Sequence, residues 1–138
     1  DDPVTPIATG YTRLQDHEAG PLRENSHMIP FTGTSAGGGY STARDLLAFR
    51  HAFFDHTLLD PRYTAWMVTD ELPDEAPPAE PNAYGIGVAG GGPGVNAALE
   101  MDGEWTVIVL TNLDPPSASD AAGHLRALIR AVEQHESH

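Results

Sequence analysis

The chain has 138 residues and carries twenty acidic side chains against seven arginines and no lysine, a formal net charge of −13. So acidic a surface repels nucleic-acid phosphates and argues against nucleic-acid binding. The absence of cysteine excludes disulfides, zinc–thiolate sites and thiol catalysis, and the aliphatic run Val107–Leu110 is far too short to cross a membrane. The length fits a single domain over residues 1–138.

The first part of the chain predicts little regular structure. We expect a short strand from Ile7 to Arg13 that breaks at Gly10, followed by a polar loop from Leu14 to Pro30. The next stretch, Gly33–Tyr40, is too rich in glycine for a helix or strand.

Two helices are predicted next. Ser41 or Thr42 can cap the first, and Asp45 in its first turn suits the helix dipole. A shorter helix is expected to begin at Pro61, and the acidic, proline-rich stretch Leu72–Pro81 predicts an exposed loop. The apolar positions at helical spacing are Leu46, Leu47, Phe49, Phe53 and Phe54 in the first helix and Tyr63, Trp66 and Met67 in the second.

A β-hairpin is the strongest local signal. Apolar and polar residues alternate from Val95 to Met101, and Asp102-Gly103 supplies a two-residue turn. The partner segment, Glu104–Thr111, is nearly all apolar, which predicts a strand buried on both faces. Tyr84–Val88 is expected to pair as a third strand.

The chain ends in a predicted helix capped by Ser117 or Ser119. The order of elements predicts an α+β fold in which an antiparallel sheet, made of the hairpin and one or two further strands, packs against helices. The expected sheet-facing stripe of the last helix is Leu125, Leu128, Ile129 and Val132.

A G-x-S-x-G sequence places Ser35 as a candidate nucleophile, with His27 or His51 as its base. In α/β-hydrolases this motif needs a strand that runs into it and a helix that leaves it at once. Here Pro30 interrupts the approach, and two further glycines follow Gly37. We therefore interpret the motif as a glycine-rich turn and keep the nucleophile as an alternative.

No cofactor or metal is predicted. His51 and Asp55 lie four residues apart on one helix, a spacing that can chelate a metal, but no second pair accompanies them, which favours a surface ion pair. The run Gly90–Gly94 leads into a strand and not into a helix, so it does not predict a phosphate site. Its N–H groups either approach a ligand, as in an oxyanion hole, or form a plain hairpin connection.

Taken in order, several segments resemble the C-terminal portion of the serine β-lactamase-like family, which includes class C β-lactamases, D-aminopeptidases and related esterases. The resemblance covers roughly Ile7 to the C-terminus. Its segments are Gly33–Phe49, Thr57–Pro61, Tyr84–Val88, Gly90–Ala97 and Val107–Pro116.

The resemblance implies ester or amide hydrolysis through an acyl-serine. The family's S-x-x-K and Y-x-N motifs are absent here, since there is no lysine and no tyrosine precedes an asparagine by two positions. The family's K-T-G or H-x-G element falls at Ala89-Gly90-Gly91, where alanine replaces the substrate-binding side chain and leaves backbone groups at Gly91 and Gly92. The resemblance thus implies a substrate-edge strand, Ala89–Gly92, that donates one oxyanion N–H but lacks the nucleophile.

Three functional hypotheses follow. The chain is the C-terminal part of a serine hydrolase, inactive alone, which acts on a small ester or amide with a complementing N-terminal hydrolase segment. Alternatively, it is a stand-alone degenerate domain that serves binding or assembly through a protein partner or a homo-oligomer. In the third, it is a small esterase that uses Ser35. No membrane association is expected, and the compartment stays open.

Overall fold

The computed structural model of the chain describes residues 7–14, 20–28, 33–75, 86–102 and 105–136. Within these ranges the chain has an α+β architecture, as predicted. Residues 84–85 of the expected third strand, 103–104 of the expected hairpin and 76–81 of the expected loop lie outside the described residues. The elements are β1 (Tyr11–Thr12), β2 (Arg23–Glu24), α1 (Ala43–Phe54), α2 (Pro61–Thr69), β3 (Ile86–Gly92), β4 (Val95–Asp102), β5 (Trp105–Thr111) and α3 (Ser117–Glu136).

The main sheet is antiparallel, with strand order β3-β4-β5. Leu99 in β4 stands opposite Val88 on one side and Ile108 on the other. The predicted pairing of a third strand with the hairpin is therefore confirmed, although β3 continues through the glycine run to Gly92. A second, two-stranded sheet joins β1 to β2, and β2 lies where the sequence predicts only a loop.

One face of the main sheet packs against α3. Ala98 and Val107 from the sheet and Ala118 and Ala122 from the helix form the buried cluster, and Ile129 packs at its margin. The two helix alanines carry single methyl groups, so that the backbone of α3 comes close to the sheet at this end. Burial of apolar surface here holds the helix to the sheet.

The predicted sheet-facing stripe of α3 is wrong at three of its four positions. Only Ile129 packs against the core, whereas Leu128 is 65% exposed and Leu125 and Val132 are also exposed. The small residues Ala118 and Ala122 decide the rotation of the helix, because they allow the closest approach. The larger side chains consequently lie on a flank.

The prediction that β5 is buried on both faces is also wrong. Trp105 and Leu110 are exposed at opposite ends of the strand, while Val107 is buried under α3. Among the described residues β5 pairs only with β4, so it is an edge strand. An edge strand has one side without a neighbour, and its apolar composition alone does not bury it.

The predicted starts of α1 and α2 are confirmed. Thr42 caps α1 in a reciprocal capping box with Asp45, and the Asp60 carboxylate caps α2 by accepting from the N–H of Arg62 at 2.9 Å. Phe53 is the buried residue of α1, which approaches β5. The aromatic side of α2 faces solvent, because its buried side is the one that carries Thr64.

Candidate functional site

The glycine run lies inside β3 rather than in a loop. Gly90, Gly91 and Gly92 stand opposite Ala97, Asn96 and Val95 of β4. The turn is made instead by Pro93 and Gly94, and Gly94 has the positive φ of 73° that such a tight turn requires. The predicted substrate strand, Ala89–Gly92, is therefore an ordered edge strand.

The register decides which backbone groups of β3 face outward. Gly92 and Val95 flank a two-residue turn and form a hydrogen-bonded pair, and bonded and non-bonded pairs alternate along an antiparallel ladder. Gly90 and Gly92 thus direct their N–H groups to β4. Ala89 and Gly91 direct theirs to the outer edge, where no strand pairs with β3 within the described residues.

A buried asparagine fixes the position of this strand. Asn96 donates from its side-chain amide to the carbonyl of Gly90 at 2.8 Å and accepts from the N–H of Ala118, at the start of α3, at 2.7 Å. A Cβ at Gly91 would lie 2.8 Å from the Asn96 amide and from Pro115. Glycine at position 91 is therefore a packing requirement, and the outward N–H of Gly91 is held rigidly.

The other strand positions are open. A Cβ at Gly90 or Gly92 would meet nothing within 4 Å. Ala89 stands opposite Ala98, on the face that α3 covers, and it contributes only a methyl group where the resembling family carries a lysine or histidine. The edge therefore offers backbone donors and no polar side chain.

Ser35 lies in a tight turn. Reciprocal backbone hydrogen bonds of 2.7 and 3.0 Å join Thr34 and Gly37 around it. Ser35 is exposed, and α1 begins only at Ala43, so the serine does not sit between a strand and an immediately following helix. This placement agrees with the glycine-rich-turn interpretation.

The predicted partners of Ser35 and the possible chelating pair are surface residues. His27, His51 and Asp55 are all exposed. In the described part of the chain, no three histidine, aspartate or glutamate side chains come together as a possible metal site. Nor does any helix of that part have the length and apolar character to cross a membrane.

Sequence reasoning missed a polar network at the β3–β4 turn. The Asp114 carboxylate accepts from the N–H of Gly94 at 2.7 Å and from the N–H of Arg13 at 2.8 Å. Burial alone would raise the pKa of Asp114, but it is lowered overall. Hydrogen bonds from the Thr12 side chain and from the two N–H groups, with the charge of Arg13, favour the ionised form.

Asn25 completes this network. It is 1% exposed, its side chain donates to the carbonyl of Pro93 at 2.7 Å, and its N–H donates to the carbonyl of Gly10. The groups joined here lie far apart in sequence, 101 positions for Arg13 and Asp114, and no local pattern marks them. They anchor the β1–β2 sheet to the end of the main sheet that carries the glycines of β3.

The opposite end of the sheet opens into a cleft of about 350 Å³ beneath the C-terminal half of α3. Its charged groups satisfy one another. Arg126 pairs with Glu100 at 2.7 Å, and the Trp105 indole donates to Glu133 at 2.8 Å. The lining contains no serine, threonine, cysteine or lysine, so the cleft lacks the side chains that usually act as nucleophiles in acyl transfer.

No family model, curated protein or solved structure matches the chain. Among the described residues, the outer edge of β3 is the clearest candidate for a ligand-binding site, because the N–H groups of Ala89 and Gly91 can donate hydrogen bonds there.

Proposed function

We propose that this chain is the C-terminal part of a β-lactamase-like serine hydrolase and supplies the edge strand against which an ester or amide substrate lies. The observation that carries the proposal is the unpaired outer edge of β3, where the N–H groups of Ala89 and Gly91 point away from the sheet. The motif order and the α+β arrangement agree with it.

The chemistry of this edge follows from its backbone. An extended substrate can add to β3 as a further strand, its carbonyl accepting from an outward N–H. A serine from the complementing segment would add to that carbonyl carbon and give up its proton to the segment's own base. The negative charge that forms on the carbonyl oxygen is then stabilised by the same N–H. As the intermediate collapses, the leaving alcohol or amine takes up the proton held by the base, and water then hydrolyses the acyl-serine that remains.

Rigidity makes the edge suitable for this task. An oxyanion donor is effective when it is fixed before the reaction, because no reorganisation is then needed as charge develops. Asn96 holds the strand at Gly90 from a buried position, and the tight contact at Gly91 leaves no room for a side chain. The absence of lysine and of a Y-x-N sequence means that the chain carries no family nucleophile of its own.

The test is a titration of the ¹⁵N-labelled chain with a cephalosporin, followed through backbone amide shifts. We expect the amides of Gly87, Ala89 and Gly91 to move, whereas those of Val88 and Gly90, bonded to β4, move less. Ala89→Pro removes one outward donor without breaking the ladder and should weaken binding. Shifts without this alternation, or none at millimolar ligand, would refute the substrate-edge proposal.

Turnover distinguishes the hydrolase hypotheses. The chain alone should neither hydrolyse p-nitrophenyl acetate nor be labelled by a fluorophosphonate. Turnover abolished by Ser35→Ala, with Ser41→Ala as the matched control, would instead establish the esterase alternative.

A stand-alone binding or assembly domain is the second candidate function. It is favoured by the aromatic side of α2, where Tyr63 and Trp66 lie with ring centroids 6.3 Å apart and Met67 is 56% exposed. Large apolar groups that cluster on a surface are typical of sites that contact another molecule. If Trp66→Ser removes binding to a partner while the chemical shifts of the β3 amides do not change with cephalosporin, this second function replaces the first.

A further inference from the structure

The outer edge of β3 presents its donors at a regular repeat. The N–H groups of Gly87, Ala89 and Gly91 point outward and lie two residues apart. Neighbouring donors are therefore about 6.8 Å apart, the distance at which the carbonyls on one side of an extended peptide also repeat. The two oxygens of one carboxylate are far closer together than that. The edge thus matches two carbonyls of an extended chain better than it matches a single carboxylate.

The strip of β3 beside these donors is open and apolar. Gly87, Ala89 and Gly91 belong to the α3 side of the sheet, because Ala89 stands opposite Ala98, which α3 covers. All three are exposed, since α3 packs on β4 and β5. No residue of β3 has a polar side chain. A chain that adds to this edge therefore has room for its own side chains but meets only backbone polar groups of the strand.

Most cations of the chain belong to elements other than the main sheet and α3. There is no lysine, and all seven arginines are among the described residues. Arg62 donates to the carbonyl of Pro73, and the charge of Arg13 acts on Asp114. Five arginines lie in α1, in α2 and in the region of the β1–β2 sheet: Arg13, Arg23, Arg44, Arg50 and Arg62. The other two belong to α3 and line a cleft that reaches β3.

These two arginines are already paired with acids. The cleft, of about 220 Å³, is lined by Gly87, Arg126 and Arg130 together with Glu100 and Asp102. Arg126 binds Glu100 at 2.7 Å, and Arg130 lies 3.7 Å from Asp102. Two positive charges and two negative charges cancel here. An anionic ligand therefore gains a guanidinium only by displacing a carboxylate of the chain.

The field of the whole chain also acts against an anion. A net charge of −13 lowers the concentration of anions near the surface. A carboxylate forms a stronger hydrogen bond to an N–H group than a neutral carbonyl does, but it must give up more hydration to do so. Because these two effects oppose each other, the repulsion decides. An uncharged ligand keeps the backbone hydrogen bonds and avoids the repulsion.

We propose that the substrate of the β3 edge is an extended ester or amide that has a second carbonyl two positions along its chain and no carboxylate beside the reacting bond. This inference rests on the proposed function, because it assigns a substrate class to the same strand.

The test is a titration of the ¹⁵N-labelled chain with two isosteric ligands, N-acetyl-alanyl-glutamine methyl ester and N-acetyl-alanyl-glutamate α-methyl ester. Both offer the same acetyl and ester carbonyls and differ by one charge. We expect the amides of Ala89 and Gly91 to shift with both ligands. The glutamine ligand should bind about 3- to 10-fold more tightly at low salt, and this ratio should fall toward one in about 0.5 M NaCl.

The outcomes separate this inference from the proposed function. Equal affinities at low salt, or tighter binding of the glutamate ligand, would overturn the substrate class and leave the substrate edge in place. The same holds if a cephalosporin shifts the outward amides and neither peptide ester does. If none of the three ligands shifts them, the substrate class and the proposed function both fail.

Variants locate the origin of the preference. Ala89→Lys keeps the outward N–H and adds a cation on the exposed strip, so it should remove or reverse the preference for the glutamine ligand. Leu128→Lys, at a position on α3 that is 65% exposed, changes the net charge equally and should alter the ratio by less than about twofold. An equal effect of both variants would contradict the assignment to the edge.

Arg130→Gln tests whether a guanidinium of the cleft binds the ligand. We expect the affinity for the glutamate ligand to change by less than about threefold, because Arg130 already faces Asp102. If that affinity fell further while the affinity for the glutamine ligand stayed the same, a cation would serve the edge and the proposed substrate class would be wrong.

Discussion

The two ends of the main sheet are held by different kinds of interaction. At the β3–β4 turn, Asp114 and the turn backbone form a network of short hydrogen bonds around Asn25, which is almost fully buried. At the opposite end, Arg126 and Arg130 reach acidic partners from exposed positions. Both ends are polar, but only at the first would a lost partner leave buried groups unsatisfied. The energetic value of a polar contact here depends on burial more than on charge.

Gly94→Ala should have the largest effect. The new Cβ would lie 2.6 Å from the Asn25 amide nitrogen and 2.9 Å from the N–H nitrogen of Tyr11, in a backbone conformation with φ of +73°. Overpacking and the left-handed conformation together should cost about 2–4 kcal/mol in the free energy of unfolding, measured by urea denaturation. Gly90→Ala, whose Cβ meets no neighbour within 4 Å, is the control and should change stability by less than about 0.5 kcal/mol. If both variants lost a similar free energy of unfolding, the close contacts at Gly94 would not be what makes the turn intolerant of a side chain.

Asp114→Asn should have an intermediate effect, which depends on pH. The amide has one acceptor oxygen for two N–H donors, so we expect a loss of about 1–2 kcal/mol at pH 7. The lowered pKa of Asp114 means that the carboxylate stabilises the fold above its ordinary value of 3.8, and that this stabilisation is lost as pH falls through the folded-state pKa. The difference between wild type and variant should therefore shrink between pH 6 and pH 3.

The control for this prediction is Asp74→Asn at an exposed position. It should leave the pH dependence of urea denaturation unchanged. A constant difference between Asp114→Asn and wild type across the pH range would show that ionisation of Asp114 does not contribute.

Arg126→Ala tests the end of the main sheet at the cleft beneath α3 and should have the smallest effect on the free energy of unfolding. The pair with Glu100 is short, at 2.7 Å, but the arginine side chain is 45% exposed. We expect a loss below about 1 kcal/mol that diminishes in 0.5 M NaCl. Arg130→Ala, which breaks a 3.7 Å pair between two largely exposed side chains, should be close to neutral. If Arg126→Ala lowered the free energy of unfolding by more than about 2 kcal/mol, the polar contacts at the two ends of the sheet would not differ in their contribution to stability.

Local signals predicted the elements that depend on local chemistry. Thr42 with Asp45 predicts the start of α1, and Pro61 predicts the start of α2. Both signals act within one helical turn, and both helices begin where these residues predict. The alternation in β4 likewise predicted its pairing with β5. Each of these features is decided by residues within a few positions of one another.

The features that depend on distant partners were not predictable. Glycine has a low strand propensity, so the run at Gly90–Gly92 suggested a connection, yet Asn96 and Ala97 across the ladder accommodate it in β3. The leucines give the strongest apolar pattern in the sequence of α3, but it is Ala118 and Ala122 that pack against the sheet. The network around Asn25 joins segments that no sequence pattern connects. The candidate edge was found by resemblance, and its outward donors required the register.

The asymmetric attachment of α3 has a kinetic consequence. This helix has 20 residues and extends about 30 Å, but its buried alanines, Ala118 and Ala122, lie in its first two turns. The C-terminal half contacts the sheet through Ile129 and through exposed polar side chains, so we expect it to open more easily than that anchor. Amide hydrogen exchange should thus form a gradient along α3, slow near Ala122 and fast beyond Arg130, so that this half behaves as a separate unit of local unfolding.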